Sequence, residues 1–516
     1  MRTPCRRRFA WGARRRGTSD RNDCPSPLRA SPGAWLGADW DTSVFVWAIW
    51  TLTVAVALVL AYRGRRFPNV DEWSLISTVT GEKPVTLAWL WAPHVGHRIV
   101  LPKLIFLALY NSSAGYDFRA GVLVHVFLLG ALAFAMIRAA RYLRGWTSYS
   151  DAFFPLALLN CGVGIMWNFH LQFICSAVIA SIFLLVILRH GNSMAPLNSL
   201  RAGLCLVLLP LCGLNGLVLV PALAAWLAYS GIRHRQLSTA KDHLVAAPIM
   251  VAFAAVAVLL CLLCLVAYEN VTPELASPGL MPTLKTAVAF LSAGLGSTFW
   301  GFPTSMALVR LTVLTMLMMT GIVIGASVLR RREERPRAVG LLLFLVALGS
   351  LALAVGLGRG GRPWDGLESH YGTLALSILC LMYLAWEIYG SRAASRFVQM
   401  CLFALMCGVF ALNTSSGLSD AAYFQHEARE VEQDILAGVQ PCELAERHIQ
   451  LFFSAHQDSR WVYTDRAGLR NRVVAGLRSL HRANAGPFRV LRDDQPDAQC
   501  KWSPGEDKGL LDDPLP

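Results

Sequence analysis

From Ser43 to Leu412 this chain is a succession of apolar runs, almost free of charge and separated by short stretches that carry arginine. Wound as helices, runs of roughly 20 residues match the hydrocarbon thickness of a bilayer. No water is available there for backbone N–H and C=O groups, so only helices and closed barrels can cross. A barrel strand would read as about ten residues of alternating polarity, and that alternation is missing. The chain therefore reads as an all-α, polytopic membrane protein. Its balance agrees: of 516 residues, 55% are hydrophobic and 16% charged, against about a quarter charged in soluble domains. The net charge of +14 would suggest nucleic acid in a soluble protein. Here the arginines lie between apolar runs, where they set orientation, and no nucleic-acid partner is expected. Most of the 13 cysteines lie inside apolar runs, as small hydrophobes do. The single CxxC, Cys261–Cys264, lies inside an apolar run, and no second pair completes a metal-type spacing.

The pattern predicts about eleven spans. They are Ser43–Tyr62, Arg119–Ile137, Ala152–Met166, Phe173–Leu188, two short helices within Ala202–Ser230, His243–Tyr268, Thr304–Leu329, Ala338–Leu357, Gly372–Tyr389 and Phe397–Leu412. Ala202–Ser230 is too long for one crossing, and GLNG at Gly213–Gly216 offers a break. Arg138, Arg141, Arg144, Arg189, Arg201, Arg233, Arg235, the RRREERPR run at Arg330–Arg337, Arg392 and Arg396 all fall on alternate loops. That bias places those loops and the N-terminus inside and the C-terminus outside a cytoplasmic (inner) membrane.

Three regions follow. Residues 1–40 are rich in Arg, Pro, Gly and Ser; they cannot build a core and read as a disordered basic cytoplasmic tail. Residues 41–412 form the membrane domain. Residues 413–516 are polar, with helical patterns in AAYFQHEAREVEQDILAG and PCELAERHIQLFF, and are long enough for a small extracytoplasmic domain. Cys442 and Cys500 are the only cysteines there. Outside the membrane a disulfide between them is available, and the sequence leaves their pairing open.

The densest set of reactive side chains lies in the loop 63–118 after the first span. FPNVDEW carries Asp71 and Glu72; WAPHVGHRIVLPK carries His94, His97 and Arg98. Glu82–Trp91 and Leu101–Tyr110 are too short to span and read as interfacial helices anchored by Trp89, Trp91 and Tyr110. A carboxylate at the membrane surface can act as a general base or hold a divalent cation. Neighbouring residues point to different sides of a helix or strand, and of the two acids Asp71 is the preferred base. If HVGHR is helical, His94 and His97 share a face and Arg98 joins His94. Together they would neutralise a phosphate, with arginine as the bidentate donor. HxxH without a third ligand is a weak metal signal, and no metal site is assigned. A second loop brings Arg359, Arg362, His370 and Tyr371 between two spans, a cationic setting that suits a lipid-linked phosphate. Each group also has a plainer reading, as a solvated loop acid, headgroup-facing polar residues, or a Gly-rich turn. Asn160, Asn168, His170 and Asn215 read as structural polar groups.

The assembly resembles the GT-C class of integral-membrane glycosyltransferases, in particular bacterial members that use polyprenyl-phosphate-linked sugars. DEW at Asp71–Trp73, HVGHR at His94–Arg98 and SHY at Ser369–Tyr371 carry the resemblance, which covers Ser43–Leu412 at the level of topology. It implies that Asp71 deprotonates an acceptor hydroxyl, that this oxygen attacks and inverts the anomeric carbon, and that the lipid phosphate leaves against His97, Arg98 and Arg362. The implied partners are a lipid-linked sugar, membrane lipids, and an acceptor glycan, lipid or protein. The metal-binding DxD of some members is absent from the loop 63–118. Two competing readings are a transporter or lipid flippase, which asks for polar residues at mid-membrane and broken helices, and a non-catalytic scaffold whose tail binds a partner.

Overall fold

The computed structural model describes residues 32–94, 96–112, 117–161, 171–192, 194–237, 241–266, 268, 276–296, 303–361, 365–453, 466–492 and 500. Most of the expected disordered tail, Asn168, His170 and Arg362 lie outside the described residues. Among the described residues every regular element is a helix. Nine are long and apolar enough to cross a membrane: α1 (Pro32–Tyr62), α5 (Arg119–Arg144), α7 (Leu171–His190), α9 (Leu214–Leu237), α10 (Lys241–Leu265), α12 (Pro303–Arg330), α13 (Arg335–Arg359), α14 (Ser369–Tyr389) and α15 (Arg392–Leu436). The chain is a multi-pass helical membrane protein.

The two remaining expected spans are short. Ala152–Met166 contributes only α6 (Phe153–Leu158) to the described residues, and the backbone leaves the helix at Leu159. Asn160 and Gly162 follow, residues that propagate a helix poorly. The first half of Ala202–Ser230 is α8 (Pro196–Leu208), which tightens into a 3-10 turn at Leu209–Cys212. Pro210 and Gly213, the latter at φ +117°, end it where the sequence marked a break.

Burial orders the bundle. In α14, 89% of the spanning window is buried, against 17% in α12. α14 is thus the central helix, and α12 presents its side chains to lipid. Helices α9 and α13 close tightly: a Cβ on Gly340 would stand 2.6 Å from Trp226 Nε1. Trp226 itself donates to the Pro336 carbonyl at 2.9 Å. Only glycine permits that approach.

One end of the bundle is tied by a buried polar network. Arg144 donates to both Asp151 carboxylate oxygens at 3.1 Å and to Glu387 at 3.1 Å. Tyr383 donates to Asp151 at 2.7 Å, and Gln399 to Glu387 at 2.8 Å. Ser148 and Asp151 form a capping box, with the Ser148 N–H on the Asp151 carboxylate at 2.8 Å. The network joins the loop after α5 to α14 and α15.

At the other end the loop after α1 and the C-terminal helices share a second core. The loop holds a 3-10 turn at Val70–Ser74, α2 (Ile76–Val79), α3 (Leu87–Trp91) and α4 (Val100–Ser112). The tail holds the far half of α15, then α16 (Pro441–Arg447), α17 (Ile449–Phe453) and α18 (Arg466–Arg482). Phe67, Trp73, Ile76, Phe106 and Tyr110 pack with Phe424, Val431, Phe452, Val474 and Leu477. Tyr110, expected as an interfacial anchor, is 1% exposed, and its hydroxyl donates to the Phe118 carbonyl at 3.2 Å. The tail covers it. Cys442 and Cys500 are paired, with Cα atoms 5.8 Å apart.

Candidate functional site

Asn69-Val70-Asp71-Glu72 builds a capping box. The Glu72 carboxylate accepts from the Asn69 N–H at 2.7 Å, and the Glu72 N–H donates to the Asn69 carbonyl at 3.0 Å. That pairing winds Val70–Ser74 into one 3-10 turn and sends the two acids to different environments. Glu72 is 3% exposed, and Oε1 has no hydrogen-bond partner among the described residues. Burial is the largest influence on it and pushes its pKa up to about 8, against the opposing pull of the Asn69 N–H and the Arg65 charge. Arg65 is itself anchored, donating to the Leu451 carbonyl at 3.0 Å and lying over the Phe424 ring. Glu72 is therefore a buried folding element of the loop. Asp71 is 44% exposed.

HVGHR is not helical. The His94 N–H donates to the His97 carbonyl at 2.8 Å and the His97 N–H returns to the His94 carbonyl at 3.2 Å, closing a turn with Gly96 at φ +81°. Pro93 offers no N–H to continue α3, and Gly96 accepts the left-handed backbone. The turn separates the three side chains that a helix would have aligned. His94 is buried, with Nε2 3.9 Å from Asp71 Oδ2 and Nδ1 3.3 Å from Ser74 Oγ. The Ser74 hydroxyl donates to the Asp71 carbonyl at 2.7 Å, which leaves the Ser74 oxygen to accept from Nδ1–H in the Nδ1-protonated tautomer. In neutral His94 the Nε2 lone pair then faces Asp71.

His97 reaches the opposite way, its Nε2 2.8 Å from Gln172 Oε1 in the first turn of α7. Gly213 backs this contact: a Cβ there would stand 3.1 Å from the His97 ring and 3.5 Å from Gln172 Oε1. The GLNG break is thus part of the surroundings of His97. Arg98 is engaged elsewhere. It donates to the carbonyls of Cys264 at 2.6 Å and Val266 at 2.9 Å and lies over the Trp91 ring, so it caps the C-terminal end of α10. That role replaces the expected phosphate contact. Lys103 does the same for α3, donating to the carbonyls of Trp89 and Ala92, both at 2.8 Å; burial lowers its pKa to about 8.

The second loop meets the first through α7. Phe173, next to Gln172, has its ring centroid 4.5 Å from that of His370. His370 Nε2 is 3.0 Å from Glu368 Oε2. Tyr371 is buried against Phe173 and Phe290. Arg359 is partly buried and closes α13. The structure thus links Asp71, His94, His97 and His370 in one run of neighbours around the start of α7. It turns Arg98 and Glu72 away.

Gln172 and Ser74 escaped the sequence reading, and Gly213 entered it only as part of a helix break. Only Glu72 carried a legible signal, the N-x-x-E spacing of a capping box. Two open cavities lie away from this turn: an apolar groove of about 420 Å³ lined by Leu317, Gly321, Leu345, Gly349 and Ile378, and a second of about 410 Å³ at the far end of α9. His426, Glu427 and Glu430 come within metal-ligand reach of one another. His426 and Glu430 are exposed and Glu427 is half-buried, and such groups are common without an ion. Comparison with known proteins finds no match: no family model fits the chain, and no curated protein or solved structure is significantly similar to it.

Proposed function

We infer that this protein is a GT-C-like membrane glycosyltransferase. It moves a sugar from a polyprenyl-phosphate donor to an acceptor hydroxyl at the outer membrane face, with inversion. The observation that carries the reading is the Asp71–His94 pair. A half-exposed carboxylate stands on a turn held rigid by its buried neighbour, with a buried imidazole 3.9 Å behind it. Such a carboxylate is open to an acceptor.

In this mechanism Asp71 takes the acceptor proton as the oxygen attacks the anomeric carbon. His94 Nε2, its lone pair toward Asp71, then receives that proton and restores the carboxylate. The bond from the anomeric carbon to the phosphate oxygen breaks, and the lipid phosphate leaves carrying the electron pair. His97, His370 and Arg359 supply positive charge or N–H donors on the phosphate side. The Cys442–Cys500 disulfide supports an outer location for the tail, since disulfides persist in oxidising compartments. The tail and the Asp71 loop share one core, so they lie on the same side.

The test is transfer by membranes that contain wild type or Asp71→Asn, given a panel of lipid-phosphate sugars. The substitution keeps the side chain's size and removes the base. Transfer should fall by about 10²–10⁴-fold at unchanged protein level. Full transfer by the variant would remove Asp71 from the chemistry.

A further inference from the structure

The last turns of α9 line a cavity that the proposed chemistry does not use. Its walls are Tyr229, Ile232, Arg233 and Gln236, and it holds about 410 Å³. The cavity is remote from Asp71. α9 begins beside His97, at Gly213 and Leu214, and the 22 steps from Leu214 to Gln236 carry it about 33 Å at 1.5 Å per residue.

The guanidinium of Arg233 is held in place. Nη1 donates to the Tyr229 hydroxyl at 3.1 Å and Nη2 to the Arg332 carbonyl at 3.4 Å. Arg332 belongs to the stretch Arg330–Arg337, five arginines against two glutamates. One of those acids, Glu334, is already paired with Arg337 at 2.8 Å. Arg330, Arg331 and Arg332 are exposed. Close by in sequence, Ile232 is 54% and Leu329 78% exposed. The wall is thus cationic on one side and apolar on the other, at the depth where two spanning helices run out.

We propose that this cavity binds the headgroup of an anionic phospholipid, its phosphate on Arg233 and its acyl chains along Ile232 and the neighbouring apolar surface. Charge complementarity selects the anion, since a basic recess at the end of membrane helices attracts acidic headgroups. The apolar wall selects a lipid over a free anion, because a soluble phosphate leaves Ile232 uncovered.

The experiment uses the full chain in nanodiscs of phosphatidylcholine with a minor fraction of phosphatidylglycerol, and native mass spectrometry to count retained lipids. Wild type should keep phosphatidylglycerol in preference to phosphatidylcholine. Arg233→Gln should weaken that preference about fivefold, the factor that corresponds to about 1 kcal/mol per cation at a membrane surface. Arg235→Gln removes the same charge from the same helix end without touching the cavity, and should retain the preference. Tyr229→Phe frees Arg233 from its hydroxyl and should cause a smaller loss in the same direction; it carries the test should Arg233→Gln fail to fold. Equal losses in the Arg233 and Arg235 variants would mean a diffuse field and overturn the site. So would displacement of the lipid by millimolar inorganic phosphate, or the absence of any phosphatidylglycerol preference in wild type.

Discussion

Gly476 of α18 faces the indole of Trp73 so closely that a Cβ at 476 would stand 2.6 Å from the ring. Trp73 lies two residues beyond Asp71 and also meets Phe452 edge to face. The C-terminal helices are thus the floor on which the Asp71 turn rests.

Gly476→Val should push α18 off the loop. Overpacking of this kind costs about 1–3 kcal/mol. Thermal unfolding should show a lower midpoint, and limited proteolysis should cut the tail sooner. An unchanged protection pattern would mean that the two segments do not depend on each other.

Glu72 makes stability depend on pH. Its folded pKa of about 8 lies above the ordinary carboxylate value of 4.5, so between these values the folded chain holds a proton that the unfolded chain has released. The stabilisation is complete below the lower value and is lost as pH rises through the upper one. Stability should therefore fall between pH 5 and 9, by an amount on the order of a few kcal/mol, and the melting midpoint should fall with it. Glu72→Gln, which stays neutral, should flatten that slope. A variant that keeps the wild-type slope would assign it to another group.

His94→Gln tests the proton path. It should lower transfer about tenfold or more, less than Asp71→Asn does, while acceptor affinity stays near wild type. A change confined to affinity would make His94 a binding residue only.

Asp151→Asn strips the charge partner from Arg144 inside the network at the far end of the bundle. Removing one member of a buried pair costs about 3–5 kcal/mol. The melting midpoint should drop well below that of wild type. A shift as small as surface substitutions give would mean that Glu387 and Gln399 hold Arg144 unaided.

The long spans were legible because about twenty uncharged residues in a row leave one structural option. The breaks were harder. Pro210 stands beside the marked GLNG and Gly213 opens it, whereas nothing in the hydropathy of Ala152–Met166 set the end of α6 at Leu158. The site was legible in residue type more than in role. Asp71 and His94 lie 23 positions apart in sequence and meet only because the chain between them folds back through α2 and α3. Arg98 looked like a phosphate ligand because its partners, the carbonyls of Cys264 and Val266, are backbone groups that no side-chain pattern announces. The shared core was hidden for a related reason. An amphipathic helix displays an apolar face, but its sequence does not say which distant segment covers it.

α15 runs unbroken for 45 residues, about 68 Å at 1.5 Å per residue, from the Arg144 network to the underside of the Asp71 turn. Such a rod is a lever. A tilt of about 5° at one end sweeps the other through about 6 Å over that length. The seating of the carboxylate is therefore tied mechanically to how the opposite end of the bundle is held.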